Sequence, residues 1–421
     1  MTSPLPQVPH GRAVAAARAT SVAFIGSGFA FASWAARIPQ VRDRLELSPA
    51  QLGLVLLAIA TGSLIALPLA GTIVQRLGSG RTVAVMALLE GVGLAVVAVG
   101  YLAGVLPVLV GLFLFGFSTG AWDVAMNVQG ADVERHLGRS IMSRFHAGFS
   151  VGTVGGALGG AAMIALRVPV TAHLLGVALL GAVVVPLAAR AFLPDADHSA
   201  ADVPEQARAG GRTPSILARW REPRTLVIGL IVLSFALGEG AGNDWITVAL
   251  IDGYGTSAEV GTLGFAVFLA AMTGCRWFGP GLLDRYGRVA VLRALTGAAV
   301  AGLVLFAFGP STPFAIAGAL LWGTGVALGF PIGMSAAADE PEAAAARVSV
   351  VSSIGYCAFL AGPPLIGFVG EHVTVTRALV LVAGLLALTL LLLGAVRPPV
   401  ARRAAGSEPE QVDAETGSVH P

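Results

Sequence analysis

The chain has 421 residues, 55% of them hydrophobic and 12% charged, with a formal net charge of +2. A water-soluble domain carries about 25% charged residues, so there is too little charge here to cover a water-facing surface. The apolar residues fall in repeated blocks of about 20, the helical length that crosses a ~30 Å hydrocarbon layer, which indicates a polytopic membrane protein.

In chain order, residues 1–14 read as a cytoplasmic tail. The apolar run after it is long enough to stay as an anchor rather than be cleaved as a leader. Twelve spans follow, at about 15–37, 52–75, 82–103, 105–131, 141–166, 168–192, 226–250, 258–282, 289–309, 312–337, 345–369 and 373–396. Most connections are short. The exception, 193–225, is polar and rich in Pro, Gly and Ala, and it divides six spans from six. The expected fold is therefore an all-α membrane protein of twelve transmembrane helices, in two six-helix bundles over 15–192 and 226–396. Residues 397–421 lack apolar periodicity and are expected to be disordered.

All 26 basic residues are arginine. With both ends placed inside, the inner loops and helix ends hold 21 of them, Arg276 and Arg347 included. The outer side holds only Arg37, Arg42, Arg44, Arg167 and Arg377. The positive-inside rule then puts both termini and the middle connection in the cytoplasm. This placement favours a lipid bilayer over nucleic acid as the partner of the basic residues. Cys275 and Cys357 lie in different apolar runs and read as buried thiols, since a metal needs more ligands than two. No metal or cofactor is expected.

The halves repeat. Gly71-Thr-Ile-Val-Gln75-Arg76-Leu-Gly78-Ser-Gly-Arg81 follows the second span and Pro280-Gly-Leu-Leu-Asp284-Arg285-Tyr-Gly287-Arg288 the eighth, with Gln75 and Asp284 at 284 − 75 = 209 residues apart. Gly111, Gly116 and Asp132 match Gly318, Gly323 and Asp339, each 207 apart. Such ordered matches point to a duplicated six-span unit, so that the two bundles are pseudo-symmetric.

With these motifs the chain resembles the major facilitator superfamily of secondary transporters, whose signature is a Gly-x-x-x-Asp-Arg-x-Gly-Arg loop after the second span. The first copy has Gln75 where that signature has aspartate, and the second has Pro280 in place of its leading glycine. The resemblance implies gating roles for Gly71, Arg76, Gly78, Arg81, Asp284, Arg285, Gly287 and Arg288. Arg37-Ile-Pro39, Asp123-x-x-x-Asn127, Gly238-Glu239 and Asp244-Trp245 look most like bacterial relatives of the fucose and glucose/galactose proton symporters.

Several polar residues stand inside the spans. Asp123 lies near the bilayer centre, where a carboxylate costs at least ~2.5–3.5 kcal/mol on insertion scales. A carboxyl whose protonation follows water access is what proton coupling requires, although a permanently paired structural carboxylate would also sit there. Gly116, Gly120, Asp123 and Asn127 share one helical stripe, the glycines admitting a neighbour or a ligand. Glu239 is a second coupling carboxylate or substrate partner. His146 can change charge near neutral pH and serve a relay, or pack structurally. Asn243 and Asp244 read equally as ligands or as solvated gate residues. Glu90 reads better as an interhelical hydrogen-bonding group. Trp122, Trp245 and Trp322, on spans four, seven and ten, offer faces for a sugar ring or for helix packing, and Asn127 offers hydrogen bonds.

Gly148-Phe-Ser150-Val-Gly152 matches a hydrolase nucleophile pattern, but that motif works on a strained strand-to-helix turn, not on a glycine ridge within a span. No phosphate-cradling loop or metal-ligand cluster appears. The expected protein is a monomeric, multi-pass transporter of a bacterial inner membrane and not an enzyme. It is expected to carry a small polar solute, a sugar or sugar derivative, together with protons. Proton-driven export of amphiphilic compounds is the alternative.

Overall fold

The computed structural model describes residues 9–138, 141–194, 216–340 and 343–398. Residues 399–421 of the expected disordered tail, and 195–215 of the divide between the bundles, fall outside the described residues. Among the described residues, twelve helices are long and apolar enough to cross a membrane. The first six are α1 (His10–Ala35), α2 (Pro49–Leu77), α3 (Ser79–Gly100), α4 (Val105–Leu137), α5 (Met142–Ala165) and α6 (Val170–Ala189). They are followed by α7 (Pro223–Tyr254), α8 (Ala258–Tyr286), α9 (Arg288–Phe308), α10 (Thr312–Val326, resumed as Gly329–Ala337), α11 (Ala344–His372) and α12 (Val380–Leu392).

Several helices outrun their apolar stretches. α4 reaches Leu137 rather than 131, and α7 spans 223–254 rather than 226–250. Helix propensity does not require apolar residues, and polar turns persist where the chain emerges from the hydrocarbon. α2 begins on a capping box, Ser48 Oγ accepting from Gln51 N at 3.4 Å while Gln51 Oε1 accepts from Ser48 N at 3.0 Å.

The first six helices pack as one bundle, α1 on α5, α2 and α3 on α4, and α3 on α6. The second six repeat this, with α7 on α11, α8 and α9 on α10, and α9 on α12. The bundles meet where α2 packs on α11 and α5 on α8, two contacts that a pseudo-two-fold axis interchanges. The repeat extends to the backbone. Gly78 links α2 to α3 at φ 82° and Gly287 links α8 to α9 at φ 77°, a conformation glycine adopts without a steric penalty. A Cβ at Gly116 would collide with the Ile59 carbonyl and one at Gly323 with the Phe268 carbonyl, so both glycines let α4 on α2, and α10 on α8, approach closely.

An even number of spans puts both chain ends on one face, here called the terminal face. At the opposite face Arg42 pairs with Asp252, with a second contact of 2.9 Å, and Ala50 N donates to Glu371 at 3.1 Å. Both contacts bridge the two bundles. At the terminal face the second bundle has its own network. Arg347 holds Glu222 and Glu340, each at 2.8 Å, while Asp339 takes Arg224 at 2.9 Å and Arg288 at 2.6 Å. Asp132, the repeat partner of Asp339, pairs among the described residues with Arg135 alone, and its buried Oδ2 has no hydrogen-bond partner among them.

Candidate functional site

Asp123 and Asn127 face outward from the middle of α4. Asn127 Nδ2 donates to the Asp123 backbone carbonyl at 2.8 Å and to its carboxylate at 3.2 Å. The Asp123 side chain is not covered by its own bundle, and Tyr356 of α11 lies within its electrostatic reach. Gly116 and Gly120, higher on the stripe, are occupied by α2: Ser63 Oγ donates to the Gly116 carbonyl at 2.8 Å. Of the two uses open to these glycines, helix contact is the one realised.

Glu239 of α7 is bonded to Arg276 of α8 at 2.7 Å. Arg276 Nε also donates to the Ala327 carbonyl at 3.1 Å. That carbonyl is free because Pro331, four residues on, has no N–H to return to it, and α10 breaks at Ala327 and Leu328. His146 of α5 is exposed, stands edge-on to Phe24 at 5.1 Å between ring centroids, and lies within electrostatic reach of Arg276. Arg276 is thus a site residue that the sequence reading missed by counting it among the arginines of the inner face. It lies 286 − 276 = 10 residues inside the end of α8, about 15 Å deep at 1.5 Å per residue. That depth was the available signal.

Between α1, α2, α4, α7 and α11 lies a cavity of about 240 Å³. Its polar lining comprises Ser63, Thr119, Asn243, Asp244 and Tyr356, and the remaining wall is apolar, with Phe31, Phe115 and Phe359 prominent. Asn243 Oδ1 is buried without a hydrogen-bond partner. Asn243 and Asp244 therefore line a chamber instead of a solvated rim. Behind the wall, Thr119 Oγ1 lies 3.1 Å from Glu90 Oε2 and 2.8 Å from the Phe115 carbonyl, the interhelical contact expected of Glu90.

Three tryptophans are placed differently from the expectation that they touch substrate. Trp122, Trp245 and Trp322 are each at most 1% exposed. Trp322 donates to the Gly238 carbonyl at 3.1 Å and packs edge-on against Phe268 and Phe306. These indoles fill gaps between helices and offer the cavity no face. Cys357 is exposed rather than buried, and Cys275 is half-buried. In the repeated loops Arg76, Arg81, Asp284 and Arg285 are exposed and Gly71 has open space around it. Arg285 lies 5.1 Å above the Tyr286 ring, and Arg288 also reaches Ser335 at 2.9 Å.

The Major Facilitator Superfamily model matches residues 19–355. An uncharacterized transporter of Sinorhizobium fredii, y4wD, is 34% identical over 90% of this chain and 97% of its own length. The membrane protein MosC of Rhizobium meliloti is 30% identical over 86% of each chain. Among solved structures, the nucleoside transporter NupG superposes with a TM-score of 0.70 at 15% identity, covering 90% of this chain and 98% of its own. The Escherichia coli fucose:proton symporter FucP gives 0.59 at 16%, covering 91% and 98%. These two likenesses concern the fold. The duplicated helical frame, the paired loop motifs and the family match over most of the chain lead to one conclusion: the protein belongs to the Major Facilitator Superfamily of membrane transporters.

Proposed function

We propose that the chain moves a small polar solute, a sugar or sugar derivative, together with protons by alternating access of the two bundles to a midplane site. The observation that carries this reading is a chamber between the bundles with Asp244 in its wall, the carboxyl of Asp123 near its Tyr356, and the Glu239–Arg276 ion pair beside it. Asp123 is the coupling carboxylate, uncovered by its own bundle and bonded among the described residues to Asn127. Glu239 and His146 face Arg276 from different helices and make a second coupling group. Asn127, Asn243 and Asp244 meet the solute. The repeated loops, Gly71 to Arg81 and Asp284 to Arg288, gate the terminal face. That face is cytoplasmic, the membrane is a bacterial inner membrane, and the working unit is a monomer. The substrates for which NupG and FucP are named, nucleosides and fucose with protons, support a polar solute. So does a chamber of about 240 Å³, below the ~300–1,000 Å³ typical of drug-sized sites.

The test is external pH in weakly buffered, de-energised cells expressing the protein, with solutes added singly. Alkalinisation that Asp123→Asn abolishes is the expected result, and its absence across sugars and sugar derivatives overturns symport. The mainly apolar wall favours one second reading, proton-driven export of amphiphilic compounds. Resistance conferred on cells without solute-driven alkalinisation would select it.

A further inference from the structure

The polar groups of the chamber are mismatched in kind. Asn243 Oδ1 is a buried acceptor with no partner, and Asp244 makes no hydrogen bond or ion pair among the described residues. Of the hydroxyls that share the wall, Ser63 is committed to the Gly116 carbonyl and Thr119 lies between Glu90 and the Phe115 carbonyl, while the Tyr356 phenol makes no hydrogen bond among the described residues. No arginine or histidine lines the chamber. The neighbouring guanidinium, Arg276, is held by Glu239 and the Ala327 carbonyl. Positive charge is therefore what the chamber lacks, and a half-buried carboxylate without a counter-charge is costly. Around these acceptors stand the rings of Phe31, Tyr356 and Phe359, whose faces attract cations.

We infer that the chamber takes a small organic solute bearing a protonated amine, its ammonium hydrogens donated to Asp244 and Asn243 and its carbon body laid on Phe31, Tyr356 and Phe359. An ammonium supplies several donors and one positive charge from a single group. A neutral hydroxyl satisfies one acceptor and leaves the charge. A carboxylate or phosphate solute adds acceptors and repulsion. This assignment rests on the transport reading of the same chamber and narrows its solute class.

The experiment is calorimetric titration of the full chain in lipid nanodiscs with matched pairs differing in charge: cyclohexylamine against cyclohexanol, and glucosamine against glucose. The expected result is that at least one amine binds roughly ten- to hundredfold tighter than its neutral partner, the range of a charge-assisted hydrogen bond. Asp244→Asn removes that preference and Asp244→Glu retains part of it. Equal or tighter binding of the neutral members, no binding by either amine, or a preference that survives in Asp244→Asn overturns the assignment. If the Asp244 variants do not fold, the wild-type pairs alone decide the class. Proton-coupled uptake of a neutral sugar with no amine binding would sink the amine and leave transport standing. Amine binding without flux of any solute in proteoliposomes would do the reverse.

Discussion

Arg276 and Pro331 are joined through one carbonyl: Arg276 Nε donates at 3.1 Å to Ala327 O, the acceptor that Pro331 leaves without its helical partner. Restoring the missing N–H puts the helix in competition with the guanidinium. Pro331→Ala is expected to close the break in α10 and raise thermal stability, while solute affinity falls. Loss of one hydrogen bond to a charged group is about 1.5–3 kcal/mol, or roughly ten- to hundredfold. Paired melting and flux measurements check this, and unchanged flux would show that Arg276 holds its position without the carbonyl.

The Glu239–Arg276 pair is only partly exposed, 20% and 29% on the two side chains. Removing one partner strands the other charge, whereas removing both does not. Arg276→Met alone is therefore expected to lower the melting temperature more than Arg276→Met combined with Glu239→Gln. Equal losses in a double-mutant cycle would mean that the pair contributes nothing as a pair.

Asp123→Asn preserves the amide bonding pattern to Asn127 and removes the titrating group. Proton-driven accumulation is expected to vanish while counterflow of solute continues, because counterflow needs no net proton movement. Accumulation at the wild-type level in energised vesicles would remove Asp123 from coupling.

Arg42–Asp252 bridges the bundles at the face opposite the termini. Asp252→Asn is expected to weaken that closure. In a background with Cys275 and Cys357 replaced by serine, a cysteine at Asn243 should then react faster with a membrane-impermeant thiol reagent added from that face, and high salt should narrow the difference by weakening the pair where Asp252 is retained. No acceleration would mean that the α2–α11 contact closes the face unaided.

Glu222 stands just before α7, outside the spans. The Arg347 guanidinium, with help from the Thr225 hydroxyl, holds its carboxyl down at about 2 from an ordinary 4.5. A lowered carboxylate favours the folded chain fully above the ordinary value and loses that contribution as pH falls toward the folded one. Wild-type melting temperature should therefore decline between about pH 5 and pH 3 more than that of Glu222→Gln. Parallel pH profiles would place the acid sensitivity elsewhere.

The frame was legible because hydrophobic blocks and loop glycines are local signals. The twelve spans follow from apolar length, and Gly78 with Gly287 betrays the repeat because both links need positive φ. The site was legible only in part. Asp123, Asn127 and Glu239 stand out as polar residues in apolar runs, but Arg276 merged with the arginines of the inner face. Its meaning depends on α7 and the break in α10, both distant in sequence. Tryptophan was misleading because a large ring serves either a cavity or a gap between helices, and burial decides which. Thr119, which ties Glu90 to the chamber wall, carries no local mark at all.

The matched glycine contacts, Gly116 on Ile59 and Gly323 on Phe268, show a frame repeated by two-fold rotation. Its chemistry is not repeated. At the same offsets Asp123 corresponds to Phe330, 330 − 123 = 207, and Arg276 to Leu67, 276 − 67 = 209. A symmetric clamp with unlike jaws gives its cargo a head and a tail. A solute held between α4 and α7, as proposed, would therefore bind in one end-to-end orientation and not in the reverse.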